Sequence, residues 1–267
     1  MSTGTQFDEE TSRRIEAVYQ TPDVIAQRRD VLRALALRPG ERVLDIGSGP
    51  GFLASEMGAA VGPSGRVYAI DSSESMLALA RARCAGQPAV EVHPGDATRL
   101  PFPENHFDVA VSTQVYEYLG DITTALAELH RVVRPGGRAL VLDTDWDSIV
   151  WHTTDRARMG RVLEAWSEHC ADPHLPPTLS RRLSRLGFLV QHREVVPLFN
   201  PAYDANTYSY GLMHHIVGFV VGRRGLTQED AAAWAADLRA LGETGSYFFS
   251  LNRYLFLAVR PDGRTAG

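Results

Sequence analysis

The chain has 267 residues, enough for one large α/β domain with additions, and its 44% hydrophobic and 22% charged content is that of an ordinary globular protein. A formal charge of -5 leaves no electrostatic footprint for nucleic acid, and two cysteines in unrelated contexts, Cys84 and Cys170, argue against a disulfide or zinc framework. The polar stretch Met1–Arg14 lacks the apolar run of a signal peptide and no uncharged stretch reaches the roughly 18 residues of a membrane helix, so a cytoplasmic protein without membrane insertion is expected.

In chain order, Phe7–Tyr19 reads as a short amphipathic helix, and Thr21-Pro22-Asp23 starts a second helix over Val24–Leu37. After the turn Arg38-Pro39-Gly40-Glu41, the buried strand Arg42–Ile46 runs into Gly47-Ser48-Gly49-Pro50-Gly51 and a helix over Phe52–Ala60. Alternate glycines let the backbone turn sharply and come close to a ligand, and the following helix offers unpaired N–H groups. The spacing is not that of a dinucleotide loop, G-x-G-x-x-G, because Phe52 stands in place of the last glycine. Asp45, two residues before the first glycine, repels a pyrophosphate and attracts an ammonium, so the expected ligand is amino-acid-like. A second strand, Arg66–Asp71, ends in an acid 26 residues past Asp45, near the roughly 20-residue interval at which a carboxylate takes ribose hydroxyls. Capping the helix over Ser73–Cys84 is the other role open to Asp71. Strands over Val90–His93, Phe107–Thr113 and Arg138–Asp143, with a helix from Asp121 to Val133, complete five strands alternating with helices. That is the pattern of a doubly wound parallel sheet.

Linked motifs over residues 36–145 resemble the class I S-adenosylmethionine-dependent methyltransferases: the glycine loop, Asp96-Ala97 and the turn Arg134-Pro135-Gly136-Gly137. The run from Leu100-Pro101-Phe102 to Phe107-Asp108 is similar to the L-P-F-x-x-x-x-F-D segment of the branch that contains ubiquinone and menaquinone biosynthesis methyltransferases. The resemblance implies an α/β, Rossmann-like, doubly wound sheet of seven strands, mostly parallel with the last antiparallel. It also implies S-adenosyl-L-methionine as cofactor and methyl transfer to O, N or C of a small-molecule acceptor. The expected contacts are Asp45 at the methionine ammonium, the backbone of Gly47, Ser48, Gly49 and Gly51, and Asp71 at the ribose with Ser72 and Met76 beside it. Asp96 and Ala97 are expected at the adenine, Thr113 at the crevice, and Tyr19 over the methionine end.

From Trp146 the resemblance weakens. Helices are expected over Thr154–His169 and Pro177–Leu186, strands over Leu189–Pro197 and Tyr247–Val259, and two further helices over Ala205–Val221 and Thr227–Leu241. The division follows: residues 1–37 as a helical lid, 38–199 as the cofactor core, 200–246 as an inserted helical cap and 247–267 as the final strand and tail. Tyr208, Leu212, His215 and Phe219 share one helix face. His215 and its neighbour His214 are the general-base candidates, and Tyr116, Trp146 and Tyr208 the substrate-binding ones. Ser112 stands where metal-dependent relatives carry an acid, so no metal is expected. A monomer or homodimer acting on a small molecule is the expected form. A protein of this fold that binds the cofactor while catalysing a cyclisation or decarboxylation is the alternative. A nicotinamide enzyme is disfavoured by Phe52 and Asp45.

Overall fold

The computed structural model describes residues 16–262. Of the helix expected over Phe7–Tyr19 only the end, residues 16–19, falls within that range, and it is helical. Five strands, β1 (Arg42–Ile46), β2 (Arg66–Asp71), β3 (Val90–Pro94), β4 (Phe107–Thr113) and β5 (Val133–Thr144), pair in parallel in the order β3-β2-β1-β4-β5. β8 (Phe249–Val259) lies antiparallel beside β5, and β7 (Leu189–Asn200) closes the far edge against β8. The mostly parallel sheet with a late antiparallel strand is thus present, with one addition. β8 outruns the end of β5, and its first residues pair with a two-residue strand, β6 (Val150–Trp151).

Period-two alternation sorts the strand residues onto two faces. Val43, Val109, Val111, Leu140 and Leu142 pack under α1 (Pro22–Leu35) and α2 (Phe52–Val61). Leu44, Ile46, Ala110 and Val141 pack under α4 (Ile122–Val132) and α6 (Pro176–Arg185). Between these, α3 (Glu74–Cys84) follows β2. A third apolar cluster forms at the carboxyl end of the sheet, where α5 (Arg156–Trp166), α7 (Tyr208–Val220) and α8 (Gln228–Glu243) bring Trp166, Ile216 and Trp234 over Phe249 and Leu251 of β8. This cluster stands over the strand ends from which the ligand crevice opens. Among the described residues no helix is long and apolar enough to cross a membrane.

Candidate active site

The loop between β1 and α2 is built as the glycine spacing predicts. Gly47 has φ 70°, and a Cβ there would stand 2.2 Å from Val115 Cγ2; Gly51 has φ 79°, and a Cβ there would meet the backbone of Ala80 at 2.9 Å. Only glycine fits either position. The N–H groups of Gly47 and Ser48 donate to Ile70 O at 2.8 and 2.9 Å, and that of Gly49 donates to Asp71 Oδ2 at 2.9 Å. Asp71 Oδ1 accepts from Ser73 N–H at 2.8 Å, while Ser73, not Asp71, caps α3. Asp71 therefore fastens the loop and keeps lone pairs in reserve, since a carboxylate offers about four acceptor sites.

Above the loop lies a narrow pocket lined by Tyr19, Gln27, Arg28, Asp45, Gly47, Ser48, Phe52 and Thr113. Asp45 is 1% exposed, and its Oδ2 has no hydrogen-bond partner. Burial, with the Asp71 charge adding to it, pushes the Asp45 carboxyl up to about 7. Such a group fits a ligand ammonium that completes its hydrogen bonds and restores its charge. Tyr19 stacks on Phe52 at 6.2 Å, and burial pushes its phenol up to about 12. Arg28 is buried, bonded to Glu56 Oε1 at 3.1 Å and to Tyr19 O.

The other expected cofactor residues sit around the ends of β2 and β3. Ser72 and Asp96 are exposed, Ala97 is 8% exposed, and Asp96 Oδ1 accepts from both Thr98 N–H and Thr98 Oγ1 at 2.8 Å. Met76 is buried among the apolar residues of α3.

On the acceptor side the structure redistributes the expected residues. Tyr116, named for substrate contact, is wholly buried in the core against α4 and α6, because the short turn after β4 carries it under the sheet end. Tyr118, two residues on, is 47% exposed. Trp146 packs edge-on against Trp166 and His169, and Tyr208 lies under the Arg253 guanidinium at 4.7 Å. His214 is exposed against Tyr210, whereas His215 is half-buried on the face it shares with Tyr208 and Leu212.

Several polar groups of this site carry no motif. Glu117 is wholly buried; its Oε2 accepts from Thr144 N–H at 2.9 Å and its Oε1 has no partner. Asp143, equally buried, accepts from Val115 N–H at 3.0 Å. Burial raises both carboxyls, with the Glu117 charge adding to it for Asp143, while Arg253 lowers both. His169 stacks on Trp166 at 3.8 Å and bonds through Nδ1 to Trp166 O, and burial lowers it to about 4, which keeps the imidazole neutral. Only a charge inside the apolar run of β8, Arg253, and an acid inside an aromatic run, Glu117, mark these positions in the sequence. Asp145, Asp147 and His174 cluster on the loops after β5 and before α6, partly exposed and bonded to one another.

Residues 44–141 match the family model described as a methyltransferase domain. With the fold and the glycine loop, this match supports a class I S-adenosylmethionine-dependent methyltransferase domain over that stretch. Among its relatives, an uncharacterised 37.1 kDa protein from a transposon of Streptomyces fradiae is 41% identical over 180 residues, 66% of this chain and 50% of the relative. The ubiquinone/menaquinone biosynthesis C-methyltransferase of Cupriavidus necator is 41% identical over 122 residues, 45% of this chain and 49% of the relative. The chain thus spans about half the length of these curated relatives. Among solved structures, a methyltransferase-like protein from Bacillus halodurans superposes with TM-score 0.64 at 19% identity, over 88% of this chain and 99% of the other. The [4+2]-cyclase SpnF superposes with TM-score 0.57 at 21% identity, over 97% and 84%. At such identities these two structures support the fold alone.

Proposed function

We propose that the chain transfers the methyl group of S-adenosylmethionine to a small-molecule acceptor held under the helices α5, α7 and α8. The observation that carries this is the Asp45 carboxyl, buried beside the glycine loop with no hydrogen-bond partner for its Oδ2, which suits a ligand ammonium. When bound, the cofactor supplies a methyl already activated by a sulfonium leaving group. The chain's own residues then have to bind, orient and exclude water, which is where most of the acceleration of such a displacement lies. Asp45 would hold the methionine ammonium, Arg28 its carboxylate, Asp71 the ribose hydroxyls, and Asp96 with Ala97 the adenine. Tyr19 would close the methionine end, and Thr113 lies at the crevice floor.

Of the two general-base candidates we take His215 before His214; its half-buried position on the helix face it shares with Tyr208 supports this reading. Residues 200–246 act in this reading as the substrate cap and the N-terminal helices as a lid. Release of S-adenosylhomocysteine, followed while phenols, enols and amines are offered as acceptors, tests the reaction. Turnover with at least one acceptor is expected, with His215→Ala lowering the rate at unchanged cofactor affinity. Equal turnover in the variant would return His215 to packing. The fold shared with a cyclase gives the second reading, cofactor binding without methyl transfer, and it predicts binding with no S-adenosylhomocysteine released under any acceptor.

A further inference from the structure

The floor of the acceptor side holds two buried donors for which the protein supplies no acceptor. Thr144 ends β5 directly opposite Arg253 of β8, so in this antiparallel pair both side chains stand on one face of the sheet. Thr144 Oγ1 donates to Gln114 Oε1 at 2.9 Å, which fixes the amide, and Gln114 Nε2 is left buried without a partner. Gln114 follows β4 with φ 59°, a left-handed conformation that is unfavourable for a non-glycine residue. Its placement is therefore imposed by its surroundings, as at many functional positions.

Arg253 is 5% exposed. It donates from Nη1 to Gln27 Oε1 and lies 4.7 Å over the Tyr208 ring, yet its Nε has no acceptor. Among the described residues no carboxylate comes within ion-pair distance of it, whereas Arg28, the other buried arginine, pairs with Glu56; the Arg253 charge reaches Glu117 and Asp143 only at longer range. A desolvated charge held by an amide and a π face is costly to leave incomplete. It also does not line the cavity above the glycine loop, where Arg28 is the cation.

We propose that Gln114 Nε2 and Arg253 Nε bind the acceptor's oxygen as an oxyanion, so that the acceptor is a phenol or enol and not an amine. This rests on the methyl-transfer reading above. The acceptor hydroxyl gives up its proton to the general base, His215 in the reading above, and the electron pair of the oxyanion, or of the carbon conjugated with it, forms the new bond to the methyl carbon. The carbon–sulfur bond breaks with its pair going to sulfur, so the negative oxygen and positive sulfonium are neutralised together; if carbon is methylated, that carbon then loses its proton. Donors aimed at developing or bound negative charge in a dry site are the most effective arrangement for such chemistry. Burial raises both Glu117 and Asp143, with the Glu117 charge adding to it for Asp143, and the Arg253 charge lowers both.

The probe is 4-nitrophenol, whose phenolate absorbs where the phenol does not and which is half ionised near neutral pH. It is titrated into the full chain saturated with S-adenosylhomocysteine. Bound nitrophenol should ionise at least about one pH unit below the free compound, a tenfold preference for phenolate. Arg253→Gln should return the ionisation to the free value, with Arg253→Lys and Gln114→Leu, checked for folding by circular dichroism, each weakening the shift. S-Adenosylhomocysteine affinity should stay within about twofold in Arg253→Gln. An unshifted or raised ionisation, absence of nitrophenol binding, or a shift that survives in all three variants overturns the proposal. So does a large loss of S-adenosylhomocysteine affinity in Arg253→Gln, which would assign Arg253 to the cofactor. If the unmodified chain does not bind S-adenosylhomocysteine, the methyl-transfer reading fails; normal binding with unshifted nitrophenol removes the oxyanion site alone.

Discussion

Asp45 is a carboxylate that the fold holds at a disadvantage. Its folded value, about 7, lies above that of a free aspartate, about 3.9, so the folded protein binds more protons at this site than the unfolded chain does. Stability contributed here is therefore lost as pH rises between those values. Asp45→Asn should raise the stability of the ligand-free protein at pH 8 by about 1–3 kcal/mol in denaturant titration, the scale of an unsatisfied buried group. The same substitution should abolish most cofactor affinity. In the unmodified protein an ammonium ligand restores the charged carboxylate, so binding should release a proton near pH 6–7 and weaken as pH falls below about 7. Calorimetry in two buffers of different ionisation enthalpy reads that proton, and a binding enthalpy independent of buffer would contradict the assignment. For Asp71, Asp71→Ala should weaken cofactor binding by about 1.5–3 kcal/mol, the scale of hydrogen bonds to a charged group. Because Asp71 also ties Gly49 and Ser73, the variant should melt earlier as well, an effect visible only in the structure.

The residues that sequence could assign are those whose partners lie within one βαβ unit. Asp45, Gly47, Gly51 and Asp71 are set by a loop and two adjacent strands, so their spacing carries their geometry. Arg253 and Glu117 depend on which residue of β8 meets the end of β5, a register fixed by pairing more than a hundred residues apart, and no local pattern encodes it. Tyr116 and Tyr118 could not be separated by composition; the turn geometry after β4 decides which ring is inside.

At the scale of elements, α1 carries Gln27 and Arg28 to the cavity, and one side chain anchors its far end. Arg138 donates to Leu35 O at 2.7 Å and to Ala36 O at 3.0 Å, satisfying helix-end carbonyls, and pairs with both oxygens of Glu41 at 2.8 and 2.9 Å. Lysine cannot reproduce that fork. Arg138→Lys should cost about 1–3 kcal/mol, a Tm lower by roughly 2–12 °C for a chain of this size, with cofactor affinity falling less than stability. Gly51→Ala should damage both, because the added Cβ meets the backbone of Ala80 at 2.9 Å and the residue needs φ 79°. Most helices and strands were legible from periodicity and caps to within a few residues, but β5 starts at Val133 and runs through Arg134-Pro135-Gly136-Gly137, which the sequence reads as a turn. β6 was not legible, since two residues pair only because β8 extends past β5.

At the scale of the molecule, a parallel sheet presents its carboxyl edge to two sets of helices, α1 and α2 over the glycine loop and α5, α7 and α8 over the ends of β5 and β8. The first side is a pocket holding a buried acid whose Oδ2 has no partner; the second is aromatic, with a neutral imidazole, two buried carboxyls and a buried guanidinium. Methyl transfer needs both sides to meet at the end of β4, where Thr113 and Gln114 stand. The measurement that bears most directly on this account is calorimetric titration of the purified chain with S-adenosylmethionine and, separately, with a nicotinamide dinucleotide. Binding of S-adenosylmethionine at one site, lost in Asp45→Asn, with no heat from the dinucleotide, is the predicted result. Binding of the dinucleotide in its place, or S-adenosylmethionine affinity unchanged in Asp45→Asn, would contradict it.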